Sequence, residues 1–175
     1  MIMQMENIYL TGFMGAGKST VGRHLAALLS YDFFEIDAEL VKIFRTPLAF
    51  YIKQEGMKVF KEKEAMVLSA LSARNKAVIA TNAGTLTTRE AVGLARKTGK
   101  IIFINTPFYQ CHRKIDGDIA KPFSYGRSRT ELQELFHSRF KIYSSTADFA
   151  VNGLNSAQQI AAEIKTWLTT LKYNN

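Results

Sequence analysis

One cysteine, Cys111, stands among 175 residues, so no disulfide within the chain can brace it. No uninterrupted stretch reaches the run of about 18 apolar residues that a membrane-spanning helix needs. The first ten residues carry Glu6 and Asn7 where a secretory signal would place its apolar core. His24, His112 and His137 show no ligand spacing with Cys111, which argues against a zinc site. Also missing are internal repeats, low-complexity tracts and the aromatic-and-basic platform of a single-strand nucleic-acid binder. These absences predict a soluble, cytoplasmic chain with no nucleic-acid or membrane partner; a monomer acting on a small-molecule substrate is the accompanying expectation. A single domain of this length buries roughly 70% of its unfolded surface.

What is present is a formal charge of +8, with 47% hydrophobic residues and 11% aromatic ones. Such a balance suits nucleic acid, an acidic membrane surface or small phosphorylated and carboxylated ligands; spare lysines that keep the protein soluble are the plainer explanation. Five short apolar runs read as buried strands: 7–11, 33–36, 77–81, 100–105 and 148–152. Between them lie helical patterns. Val21, Leu25, Leu28 and Leu29 form one stripe, and Phe60, Glu64, Val67 and Leu71 another. A break is predicted at Thr46-Pro47, and a closing helix carries Ile160, Ile164, Trp167, Leu168 and Leu171. Near-continuous apolar strands alternating with helices predict an α/β fold of three layers, a five-stranded parallel sheet flanked by helices. Helices over about 38–72 would face the acceptor. The irregular, charged stretch at about 114–128 is long for a connection and predicts a lid.

Gly12-Phe13-Met14-Gly15-Ala16-Gly17-Lys18-Ser19 fits the pattern G-x-x-x-x-G-K-[ST], with Thr20 following. It lies between a strand ending at Thr11 and a helix starting near Gly17, where the chemistry needs it. Glycines at Gly12, Gly15 and Gly17 let backbone N–H groups approach phosphate oxygens, and the helix N-terminus adds partial positive charge. Lys18 would reach the outer phosphates and Ser19 would offer its hydroxyl to Mg²⁺. The motif predicts a nucleoside triphosphate with Mg²⁺, which GTPases, ATPases and small-molecule kinases all bind. The small size and the basic loop late in the chain favour a small kinase, one P-loop domain over 1–175. A GTPase would also need a base-reading Asn-Lys-x-Asp element, and the chain has none.

The run from Gly12 to Arg23 resembles the opening of shikimate kinases, and the similarity extends from about Ile8 to Ile164. The family's Asp-x-Asp after the second strand is here Glu35-Ile36-Asp37. The resemblance implies that Glu35, with Ser19, serves the metal and that Asp37 contacts the acceptor hydroxyl. Two acids at i and i+2 of a strand end point to the same side, although Asp37 could also cap the helix that follows. Phe60-Lys61-Glu62-Lys63-Glu64 stands where the family has Phe-Arg-x-x-Glu, so Lys61 would meet the substrate carboxylate with Glu64 orienting it. A lysine neutralises a carboxylate without the planar grip of a guanidinium.

Thr81-Asn82-Ala83-Gly84 replaces the family's Gly-Gly-Gly, and the resemblance assigns Ala83 and Gly84 to the substrate. A positive φ there would suit Ala83 poorly. Arg113 falls where the family keeps an arginine near adenine and phosphates, and Lys121-Pro122 replaces an Arg-Pro whose arginine contacts ATP and substrate. Arg139 interrupts the apolar stripe of Leu132, Leu135, Phe136, Ile142 and Tyr143. By resemblance it binds the substrate carboxylate; the alternative is a structural salt bridge. The segment 151–156 matches the adenine loop, with Asn155 facing ATP and Ala157 in place of a proline. The resemblance thus implies phosphoryl transfer from ATP to a hydroxyl of shikimate, on the route to chorismate and the aromatic amino acids. Catalysis would rest on Lys18, Asp37, Arg113 and Lys121, and ATP binding on Gly12, Gly15, Ala16, Gly17, Lys18, Ser19, Thr20, Arg113 and Asn155. A kinase acting on another small hydroxy acid or polyol, or a non-catalytic ATP-binding module, are the alternatives.

Overall fold

The computed structural model of the chain describes residues 6–115 and 126–173. Five parallel strands form one sheet: β1 (Asn7–Thr11), β2 (Asp32–Glu35), β3 (Ala77–Ala80), β4 (Gly99–Asn105) and β5 (Phe149–Asn152), in the order β2-β3-β1-β4-β5. Each run lies within a residue or so of its expected place. The central strand β1 is buried along its whole length. Its alternating side chains feed two separate cores, Ile8 and Leu10 on one face and Tyr9 on the other.

On the Ile8 face pack α1 (Lys18–Leu29), α5 (Phe108–Ile115), α6 (Arg129–Thr146) and α7 (Ala157–Tyr173). On the Tyr9 face pack α2 (Ile36–Phe44), α3 (Leu48–Ser72) and α4 (Arg89–Thr98). A short 3-10 turn, Thr85–Thr87, precedes α4. A Cβ on Gly22 of α1 would run into the Phe33 ring of β2, and one on Gly99 of β4 into the Asn7 carbonyl oxygen of the neighbouring strand β1. Asn7 also ties β1 to the end of α3: its amide donates to the Arg74 carbonyl at 2.7 Å and its oxygen accepts from Ala77 N–H at 3.1 Å.

The expected break at Thr46-Pro47 separates α2 from α3, with Pro47 at the N-cap, where its missing N–H costs nothing. A second interruption falls at Gly56, where φ of 85° and ψ of 162° leave the helical region inside α3. Lys114 and Ile115 belong to α5 rather than to an irregular loop, so the helix runs past the expected start of the lid. Residues 116–125 of that lid, Lys121 among them, lie outside the described residues. Beyond them α6 opens with a capping box. Ser128 Oγ accepts from Glu131 N–H at 3.2 Å, and Glu131 Oε2 accepts from Ser128 N–H at 2.7 Å. Hydrogen bonding from the Ser128 backbone N–H, and then from its hydroxyl, holds the Glu131 carboxyl below its ordinary range.

Candidate active site

The parallel sheet gathers the carboxyl ends of its strands on one edge, and ligands of such sheets bind there. The turn after β1 is the glycine-rich loop. Gly12, at φ 146°, passes so near β4 that a Cβ would sit 2.8 Å from the Ile104 carbonyl oxygen. Gly15, at φ 76°, would place one 2.7 Å from the Cys111 carbonyl oxygen of α5. Between them Phe13 and Met14 point into the core, Phe13 edge-on to Phe136 of α6 at 5.2 Å. The loop is thus pinned from below by apolar packing while its backbone faces the cleft. Lys18 Nζ donates to the carbonyls of Gly12 and Phe13 at 2.8 and 2.9 Å.

Beside the loop, Ser19 Oγ donates to Glu35 Oε1 across the gap between α1 and the end of β2. Glu35 is also 3.6 Å from the Arg23 guanidinium. Asp37, in the first turn of α2, opens into the same cleft of about 290 Å³ as Lys18, Ser19, Glu35, Asn82 and Ala83. Lys114 of α5 lines it as well.

Behind Asp37 lies a buried polar network. Glu64, 4% exposed, shares the face of α3 that Phe60, Val67 and Leu71 bury. Its carboxylate is satisfied from three sides: Lys61 Nζ donates at 2.6 Å, Thr85 Oγ1 at 2.9 Å, and Asn82 Nδ2 also donates. A carboxylate on an apolar stripe survives burial only with such partners. Lys61 further donates to the Gly84 carbonyl at 3.0 Å. Asn82 Nδ2 donates to Asp37 Oδ1 at 3.1 Å, and Asn82 Oδ1 accepts from Gly84 N–H at 2.8 Å.

The loop after β3 differs from the expected difficulty at Ala83. Among the described residues the positive-φ ones other than glycine are Ser30, Arg45 and Lys76, so Ala83 carries no such strain, and Gly84 has φ of −114°. Ala83 is buried and its carbonyl oxygen accepts from the Tyr143 hydroxyl at 2.6 Å. Burial holds the Tyr143 hydroxyl above its ordinary pKa, with Arg139 opposing in part. Cys111, under the phosphate loop, is pushed up to about 11 by burial, Lys18 and Lys114 opposing.

The remaining expected residues fall outside the cleft lining. Arg113 is exposed and bonds Gln110 at 2.7 Å. Arg139 is half-buried on α6 and makes no ion pair with another described residue. Asn155 is exposed in the turn after β5, its N–H on the Asn152 carbonyl at 3.2 Å. That turn is fixed against the phosphate loop: Gly153 lies against Thr106, whose hydroxyl donates to the Ala16 carbonyl at 3.0 Å. Reading by residue type alone missed the bridging role of Asn82, the cleft position of Lys114 and the Tyr143 contact. A sign of the first was present, since a buried Glu64 demands donors and an asparagine replaces glycine nearby.

The shikimate kinase family model matches residues 14–169. The chain is 33% identical to a shikimate kinase of Persephonella marina over 161 residues, covering 91% of this chain and 97% of that one. Among solved structures, shikimate kinase from Acinetobacter baumannii in complex with shikimate superposes with a TM-score of 0.90 at 29% identity, over 96% of this chain and 95% of that one. The enzyme from Aquifex aeolicus gives 0.83 at 31% identity, over 97% and 99%.

Proposed function

The chain belongs to the shikimate kinase family, and from that premise we propose that it transfers the γ-phosphoryl group of ATP to a hydroxyl of shikimate. The observation that carries the reading is the shared cleft: Lys18 on the phosphate loop and Asp37 at the start of α2 open into one space. A donor phosphate and an acceptor hydroxyl placed there meet without crossing solvent, and phosphoryl transfer depends mostly on such positioning and on charge stabilisation.

Gly12, Gly15, Ala16, Gly17 and Thr20 wrap the phosphates with backbone N–H groups, and Lys18 neutralises charge on the moving phosphoryl. Asp37 orients the acceptor hydroxyl and takes its proton. Lys61, held by Glu64, meets the substrate carboxylate together with Arg139, while Ala83 and Gly84 form the wall beneath the ring. Arg113 and Lys121 come to the phosphates from the lid side, and Asn155 flanks the base. Closure of a lid in the stretch that follows α5 excludes water, which would otherwise accept the phosphoryl group.

The residues around Ser19 fit Mg²⁺. One hydroxyl and one carboxylate in contact are hard oxygen donors, and Mg²⁺ is ordinarily held by one or two carboxylates together with phosphates and water. No cluster of three or more acidic, histidine or cysteine side chains suited to a metal occurs among the described residues. Ser19 and Glu35 would hold the ion, which supplies neutralisation of charge on the phosphate oxygens. The same reading makes the chain a single-domain cytoplasmic monomer working on small molecules. No described helix is long and apolar enough to cross a membrane.

Release of ADP from Mg·ATP by purified protein, with and without millimolar shikimate, tests the reading. A shikimate-dependent rate supports it. No stimulation, with ATP binding intact by thermal shift, overturns the acceptor and sends the search to other small hydroxy acids.

A further inference from the structure

Asn82 occupies an unusual place: one carboxamide touches the carboxylates of both Asp37 and Glu64. Its orientation is fixed. The oxygen accepts from Gly84 N–H at 2.8 Å, so the amino group must face the two acids, and its two hydrogens match two acceptors. Asn82 is 7% exposed, and its own N–H donates to Thr85 Oγ1, which in turn donates to Glu64. Two carboxylates on different helices, α2 and α3, would repel at this spacing; a neutral double donor between them offsets that penalty by bonding both.

The chain of contacts continues to Lys61, which holds the far oxygen of Glu64 and the Gly84 carbonyl. Lys61 carries three N–H hydrogens and Asn82 two, together the five of a single guanidinium. Resting on the proposed function above, we infer that Asn82 is a positioning residue for the acceptor. It couples Asp37, which orients the reacting hydroxyl, to Lys61, which meets the substrate's carboxylate, so that both ends of a hydroxy acid are held at a fixed separation. Asn82 and Lys61 work as a matched pair. An ammonium alone leaves Glu64 Oε1 to the Thr85 hydroxyl, and Asn82 supplies the further donor that a single ammonium lacks relative to a guanidinium.

Steady-state kinetics of Asn82→Gly, Asn82→Asp, Lys61→Arg and the double variant Lys61→Arg/Asn82→Gly test the coupling. Asn82→Gly is expected to raise KM for shikimate about tenfold and lower kcat about tenfold, with KM for ATP within twofold. Asn82→Asp keeps the size but sets a third carboxylate between two, and its loss should be larger. The double variant is expected to recover most of what Asn82→Gly loses, a rescue that a merely structural asparagine would not allow. ATP-induced thermal shifts report that each variant folds. Asn82→Gly within twofold of wild type on all three constants overturns the inference, as does a double variant no better than Asn82→Gly.

If the wild type shows no shikimate-dependent turnover, the proposed function fails and the coupling is judged on the free protein. The Asn82 side-chain amide resonances, assigned by their loss in Asn82→Asp, should exchange slowly with solvent and shift in both Glu64→Gln and Asp37→Asn. Fast exchange with no shift in either variant overturns the inference.

Discussion

The hydroxyl of Tyr143 donates to the carbonyl oxygen of Ala83 across 2.6 Å, joining α6 to the loop after β3 over 60 residues of sequence. Both groups are buried, so neither can turn to water instead. The bond sets the height of the Ala83–Gly84 segment against the cleft.

Tyr143→Phe removes the donor and strands the Ala83 carbonyl. The variant should lose about 1–3 kcal/mol of stability, the cost of a buried unsatisfied carbonyl. Urea unfolding measures that loss. Because the loop it releases carries Gly84 and neighbours Asn82, KM for shikimate should rise while KM for ATP holds.

Alkaline pH should destabilise the fold early. Burial keeps Cys111 protonated up to about 11 against an ordinary 9.0, and it raises Tyr31 and Tyr143 above their ordinary 10.0. The unfolded chain releases these protons first, so stability is full below about pH 9 and falls as pH climbs towards 11. The thiol alone accounts for about 2–3 kcal/mol of the fall. In Cys111→Ala the decline should begin nearer pH 10, where only the tyrosines contribute; urea midpoints at several pH values decide it. An unchanged profile would mean that the thiol already ionises at its ordinary value in the folded protein.

The Gly15 backbone, at φ 76° against α5, tolerates no side chain. Gly15→Ala strains the loop and drives a methyl into the Cys111 carbonyl, a cost of about 1–3 kcal/mol. ATP affinity measured by calorimetry should fall by at least tenfold. Shikimate binding, measured the same way, should be little changed.

Glu35→Gln tests the metal assignment. The amide can still contact Ser19, but it lacks the charge that draws a divalent cation. The Mg²⁺ concentration for half-maximal rate should rise on the order of tenfold, with the saturated rate less affected. An unaltered Mg²⁺ titration would remove Glu35 from the ion's shell.

Much of this architecture was legible from local signals. Strand runs such as 77–81 and the Gly12–Ser19 pattern carry their geometry in a few consecutive residues, and each lands within a residue or so of its expected place. The apolar stripe through Phe60, Val67 and Leu71 likewise announced that Glu64 must be paired. What stayed hidden is tertiary. Asn82 meets Glu64 across 18 residues and Asp37 across 45, and an asparagine in a loop looks the same whether its amide bridges two acids or turns in solvent. Gly56 interrupts α3 within an otherwise helical pattern, where a lone glycine is often tolerated without a break. The short helix α5 is similarly quiet, with two fully buried residues, Cys111 and Ile115, to mark its inner face.

Lys18 has consequences beyond its charge. Its ammonium bonds the Gly12 and Phe13 carbonyls and thereby staples the loop from within. An incoming triphosphate therefore competes with neutral oxygens already in residence, and its net gain is the difference between the two sets of partners. Weak anions have little to offer in that exchange, whereas a polyphosphate brings enough negative charge to win it. Deleting the lysine does two things at once: it discharges the cradle and it unfastens the turn that forms the cradle. The loss of nucleotide affinity in such a variant is thus the sum of an electrostatic deficit and a loosened turn, and only the first of these belongs to the phosphate.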